Sequence, residues 1–168
     1  MAKNDFLKLE VKSSNKYIKV SGNKIELNKT FAAKLSDKGL YKNDEKQIAK
    51  MVRDKISSNI IKGKRYDTGG NVAALKPSTI KRKGFSKPLQ DTGKLALGVM
   101  VDTTGDHPIV RMKDQTYKGG AKLQMVAAAN NNGTDKIPAR PFFGINKKDA
   151  TIIVNSVLKD KFKKWLRI

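Results

Sequence analysis

Two short limbs rich in Pro, Gly and small polar residues restrict what this chain can fold into more than any other feature. The first reads Lys76-Pro77-Ser78-Thr79-Ile80-Lys81-Arg82-Lys83-Gly84 and resumes as Pro88-Leu89-Gln90-Asp91-Thr92-Gly93-Lys94-Leu95. The second reads Ile137-Pro138-Ala139-Arg140-Pro141-Phe142-Phe143-Gly144-Ile145. Such mixtures fix turns at definite places and do not fill a long helix. Asp91 is expected to cap a short helical turn, its carboxylate accepting a free amide. Pro138 and Pro141 bias Ile137 and Arg140 towards extended geometry, so Arg140 to Ile145 is expected as strand or straight linker.

Around these limbs the pattern is regular. Leu7 to Val11 and Tyr17 to Val20 alternate apolar and polar residues, and Ile25 and Leu27 continue after Gly22-Asn23. Period two over short runs predicts a β meander within residues 1–30, on one edge of a sheet. Phe31 to Leu40 is ambiguous, with a helical turn at Phe31 to Leu35. From Glu45 to Ile61, Ile48, Met51, Val52, Ile56 and Ile60 fall at helical spacing. Asn43 or Asp44 is placed to cap that helix and Gly63 to end it. Such a stripe is a core face in preference to a ligand groove. Leu95 to Asp102 alternates and predicts a strand, and Ile109 to Met112 predicts its antiparallel return. Leu123, Val126 and Ala127 predict a short helix that Asn130-Asn131-Asn132-Gly133 stops. Asn146, with Asp149 three residues on, predicts a capping box for a C-terminal helix over 146–168. Its Ile153, Val157, Phe162 and Trp165 face is expected to dock on the sheet.

Charge supplies the strongest bulk constraint. The chain of 168 residues has 36 Lys and Arg against 15 Asp and Glu, a formal net charge of +21. That implies an anionic partner, or tight association that offsets self-repulsion. Lysine-rich solubilisation is the alternative. Residues 62–90 are expected as an extended basic arm, distinguished by a long stretch without acidic residues. Between Asp67 and Asp91 there is no acidic residue, while Lys64, Arg65, Lys76, Lys81, Arg82, Lys83 and Lys87 stand in the neighbourhood. A loop of this length inside one domain is usually functional or disordered until bound. The arm is expected to carry a short helix near Ser78 to Lys83 and to contact phosphate or an acidic protein surface; a solvated lysine loop is the plainer alternative.

Catalytic chemistry is hard to place. There is no cysteine, hence no disulfide and no thiolate metal site. His107, the single histidine, precedes Pro108 in a predicted turn with no nucleophile motif around it. Thr92-Gly93-Lys94 resembles the end of a phosphate-binding loop, but Pro88 stands at the required upstream Gly position and Leu95 follows the Lys. No His-Glu-x-x-His or calcium-loop spacing occurs. Neither a cofactor nor a metal is expected, and the chain reads as a non-enzyme. Met1 to Glu10 carries charges throughout, with no signal-like apolar stretch, and no apolar run approaches a membrane span.

The order of the two limbs, Pro-Ser-Thr-Ile, then Asp-Thr-Gly-Lys-Leu, then Ile-Pro-Ala-Arg-Pro-Phe-Phe-Gly and a terminal helix, resembles the tailed-phage virion-morphogenesis (tail-completion) family. It is also similar to related minor-tail and head–tail joining proteins. The likeness spans roughly Glu45 to the C-terminus. Asp91, Thr92, Gly93 and Leu95 match the first motif, and Pro138, Arg140, Pro141 and Phe142 the second. Most of these residues would shape backbone, with Arg140 suited to a buried or interface salt bridge. Where the family has an aromatic residue and a His before the Gly preceding the second limb, this chain has Met125 to Gly133, so no contact of that His carries over. The resemblance implies a small, mainly antiparallel sheet flanked by helices. With the elements above, that is a single α+β domain over 1–168, with two long helices, the C-terminal one included, and a long basic loop. It implies a non-catalytic ring homo-oligomer, a hexamer, at the neck or tail end of the virion, assembled in the host cytoplasm. Its partners would be the tail-tube protein, head–tail connector or stopper proteins and DNA in the channel, with no membrane. The competing reading is a basic nucleic-acid-binding protein of a phage or mobile element. Charge favours it; the lack of helix-turn-helix and zinc signatures and the few aromatics among the basic residues do not.

Overall fold

The structure is a computed structural model that describes residues 18–21, 24–27 and 42–165. The expectations for Leu7 to Val11 and Phe31 to Leu40 lie outside the described residues, as do the side chains of Phe162 and Trp165. The described elements are β1 (Ile18–Ser21), β2 (Lys24–Leu27), α1 (Lys42–Lys62), α2 (Pro77–Lys83), α3 (Lys94–Leu97), β3 (Val99–Asp102), β4 (Ile109–Met112), a 3-10 turn (Lys118–Gly120), α4 (Leu123–Asn132) and α5 (Lys147–Trp165). They make a small α+β fold.

The described strands form one antiparallel sheet in the order β1-β2-β4-β3, so the β1–β2 hairpin occupies one edge as expected. Register sets its faces. Val99 pairs with Met112 and Val101 with Val110, which puts these four on one side. Val99, Val110 and Met112 are buried there, while Arg111 and Asp102 share the other side, joined by Arg111 Nε donating to Asp102 Oδ2 at 2.7 Å.

Helix α1 lies against this sheet because its apolar residues recur every three or four positions. Ile48, Val52, Ile56 and Ile60 are all buried, each worth roughly 1.5–3 kcal/mol relative to exposure. The helix begins at Lys42, so Asn43 and Asp44 lie inside its first turn and not at the cap positions expected for them. Gly63 ends it as expected. With φ of +61° it takes the left-handed conformation that L-residues avoid, and its amide donates to Ile60 O while the Lys64 amide donates to Asn59 O.

Two expectations about neighbouring elements are corrected. Leu95 to Asp102 is not one strand: Lys94–Leu97 is a helical turn and β3 starts only at Val99. Gly98 makes the switch possible, since a Cβ there would stand 2.8 Å from Lys94 O and collide with the Leu123 side chain. Among the described residues, helix α5 packs chiefly on α1 and at most weakly on the strands. Ile153, Val154 and Val157 are its buried face, and Lys55 Nζ of α1 meets Asp149 Oδ2 at 3.1 Å.

Candidate functional site

The second limb crosses the interior. Phe142, Phe143, Gly144 and Ile145 are buried one after another, and the two phenyl rings meet edge to face, 6.5 Å apart with planes at 88°. A strand turns alternate side chains to opposite faces; four consecutive buried residues need protein on every side. Accordingly Arg140 to Ile145 is linker and not strand, and its amides need partners other than a ladder.

Asn131 supplies them. It is itself buried, at the end of α4, and its Oδ1 accepts the amides of Phe142 at 3.0 Å and Phe143 at 2.9 Å. The Pro141 carbonyl accepts the Tyr66 amide at 2.9 Å. Just past the limb, Asn146 Nδ2 donates to Tyr66 O at 2.8 Å, and Asn146 Oδ1 accepts the Asp149 amide at 2.8 Å, capping α5 as expected. The Asn130–Asn132 run, read from the sequence as a helix stop, is therefore also the bracket for the limb. Its signal was available: Asn is a poor helix former with side-chain donors and acceptors that seek other partners.

Arg140 ties the second limb to the chain leading into the first. It is buried, and its guanidinium donates to the carbonyls of Ala73 (Nε, 2.8 Å) and Ala74 (Nη2, 3.0 Å), with Nη1 3.5 Å from Asn130 Oδ1. Its backbone amide donates to Asn130 O at 2.8 Å. Of the buried or interface salt bridge expected for Arg140, the buried form is corrected: among the described residues its guanidinium meets carbonyl and amide oxygens of its own chain and no carboxylate. Burial holds its pKa below the usual arginine value. A planar fork with several donors can pin two successive carbonyls, which a lysine cannot.

The expected extended arm is folded back on the domain. Lys64 and Asn71 bridge as a tight antiparallel turn, within which Arg65 donates to both oxygens of Asp67, from Nε at 3.0 Å and Nη2 at 2.7 Å. The Arg65 hydrogen bond holds the Asp67 carboxyl below its usual range. Val72 is buried after the turn. Lys76 is extended and Pro77 starts α2, where its missing amide costs nothing. Gly84, at φ +78°, closes the helix by donating to Ile80 O. Lys83 turns inward. Its ammonium donates to the Gln90 carbonyl and lies 3.5 Å from Lys87 O and 4.4 Å from the centre of the Phe85 ring. Desolvation pushes its pKa down, with Asp91 opposing and Arg140 and Arg82 reinforcing. Gln90 Nε2 donates to Ile61 O at the end of α1, and Leu89 is buried at φ +60°, a strained value for a branched side chain.

The first motif also differs in detail. Asp91 does not cap α3. The N-cap position is Gly93, with no side-chain cap, and Thr92 Oγ1 stands 3.4 Å from the Lys94 amide. Asp91 Oδ2 instead accepts the Tyr117 hydroxyl at 3.0 Å, a partner that sequence reading missed. Leu95 is buried under the motif, while Pro138 at the start of the second limb is exposed.

Of the seven basic residues expected to act together, Arg65 and Lys83 are thus engaged internally and Lys64 is half-buried. Lys76, Lys81, Arg82 and Lys87 are exposed, and their side chains make no hydrogen bond or ion pair among the described residues. His107 is 3.2 Å from Glu45 on the surface. Among the described residues no group of three or more His, Cys, Asp or Glu is placed to hold a metal ion, and no helix is long and apolar enough to cross a membrane. No protein-family model, curated protein or solved structure matches the chain.

Proposed function

We propose that the chain is a structural subunit of a tailed-phage virion, a tail-completion, tail-terminator or head–tail joining protein that acts as a ring at the neck, without catalysis. One observation carries this reading. The two limbs on which the resemblance rests are built into one unit, the second clamped through Arg140 to the Ala73 and Ala74 carbonyls that lead into the first. That pattern of buried polar fastening gives a rigid scaffold whose outward product is a surface and not a reactive cleft. In the ring, heterologous contacts close on themselves, one face meets the connector or stopper and the other the tail-tube protein. The exposed cations of the folded-back loop face a partner across one of these contacts or the DNA in the channel.

Imaging of the neck of particles that carry the chain tests the proposal. The expected result is a closed ring with six-fold symmetry into which the domain fits, and separate heads and tails when the chain is withheld. Normal particles assembled without it would overturn the reading.

A further inference from the structure

We propose that the outward side of α2, together with Lys76 and Lys87, is a binding surface for the phosphate backbone of duplex DNA, read without regard to base sequence. This deepens the proposed assembly role by naming what the basic loop touches; DNA binding by the purified chain is readable whether or not the ring forms.

The helix sorts its residues by side. At about 100° per residue, Ser78, Lys81 and Arg82 fall within one narrow arc, and Thr79, Ile80 and Lys83 within the opposite one. Burial follows that division: the first three are exposed and the second three half-buried. Every residue of the outward arc is therefore a cation or a hydroxyl. Lys76 before the helix and Lys87 after it are exposed as well.

No carboxylate neutralises this surface from within the loop. The two that bound it, Asp67 and Asp91, are occupied by Arg65 and by the Tyr117 hydroxyl. Like charges so crowded repel one another, and a polyanion relieves that repulsion. The backbone beneath is fixed at both ends, by Arg140 on Ala73 and Ala74 and by Lys83 on Gln90 O. The cations are thus presented on a held helix, at lower ordering cost than on a free loop.

The composition of the arc separates nucleic acid from other anionic partners. A protein interface has an apolar centre depleted of lysine; this arc holds only cations and a hydroxyl, with exposed Pro77 and Phe85 beside it and not at its centre. A membrane-surface helix needs an apolar side to bury in lipid; the one apolar residue on the inner arc, Ile80, is turned to the protein. Phosphate contacts are made by Lys, Arg and Ser, which is the composition here. The cations are mostly lysines, point charges without the bidentate fork that reads guanine edges, so the surface is indifferent to sequence.

The test is binding of a short fluorescein-labelled duplex of mixed sequence to the purified full chain, by anisotropy across a sodium chloride series. The parent is compared with K76Q/K81Q/R82Q/K87Q and with a charge-matched control, K46Q/K50Q/K147Q/K148Q, whose positions are exposed on α1 and α5. Counterion release contributes about 0.9 to the log–log salt slope per phosphate contact. The loop variant is expected to have a slope shallower by about 3–4, and the control a slope within about 1 of the parent. Equal losses in the two variants would mean diffuse charge and would overturn the proposal. So would parent binding to poly-glutamate as tight as to the duplex, which would assign the surface to an acidic protein. Should the quadruple variant fail to fold by circular dichroism, K81Q/R82Q carries the same test with about half the change in slope.

Discussion

The side chain of Asn131 holds Phe143 by its backbone: Oδ1 accepts the Phe143 amide at 2.9 Å, and the same oxygen accepts the preceding amide of Phe142 at 3.0 Å. Three buried residues thereby fasten the end of α4 to a limb that has no strand partner.

Replacing Asn131 by Ala leaves two buried amides without an acceptor. Each costs about 1–3 kcal/mol, so Asn131→Ala should lower the urea midpoint markedly with an unchanged denaturant slope. Equilibrium unfolding measures it. A midpoint equal to the parent's would show that the limb is held by packing alone.

Gly144 is the second fastening. A Cβ there would stand 2.7 Å from two carbons of the Tyr66 ring. The Tyr66 backbone is bonded on both sides, to Pro141 O and Asn146 Nδ2, so the ring cannot retreat with its main chain. Gly144→Ala should destabilise by about 1–3 kcal/mol, the usual cost of overpacking. Combining it with Tyr66→Ala should cost less than the sum of the two single changes, because the second removes what the first strikes. Strict additivity in thermal unfolding would disprove the clash.

Asp102 predicts an acid response. Hydrogen bonds from the Thr104 hydroxyl and amide, and then from Arg111, hold its pKa down to about 2. A depressed folded-state value means that the unfolded chain binds more protons in the window between the two values, so stability rises with pH there. The contribution is complete above the ordinary carboxylate value, about 4, and is lost as pH falls towards 2. Midpoints of thermal unfolding for the parent and Asp102→Asn should differ at neutral pH and converge through that window. A constant difference down to the lowest pH would refute the assignment.

His107 should be dispensable. Its contact with Glu45, at 3.2 Å, lies on the surface, where such pairs are worth about 0–1 kcal/mol. His107→Ala should fold with a thermal midpoint close to the parent's and, under the proposed virion role, assemble as the parent does. Loss of assembly with the fold intact would reveal a role that neither the turn nor the ion pair explains.

What the sequence determined by itself was local. The spacing of Ile48, Val52, Ile56 and Ile60 gave α1; Gly63 stopped it; Asn146 and Asp149 capped α5; Ile109 to Met112 was legible as a return strand. Each of these rests on residues a few positions apart, where backbone geometry alone dictates which side chains meet. Tertiary structure decided the rest. Arg140 finds its carbonyl acceptors 67 and 66 positions away, and Asp91 finds Tyr117 across 26. Nothing in either neighbourhood marks those partners. The run from Leu95 through Val101 fits a strand by alternation, yet Leu97 is 73% exposed on a helical turn, because Leu123 and Met112 fill the space against Gly98. The loop of lysines reads as extended because its charges repel, and it folds back because buried Val72 and Leu89, the Arg140 clamp and the inward turn of Lys83 outweigh that repulsion. A long-range hydrogen bond needs two groups to arrive together. The chain specifies each group locally, and only the packed core sets where they arrive.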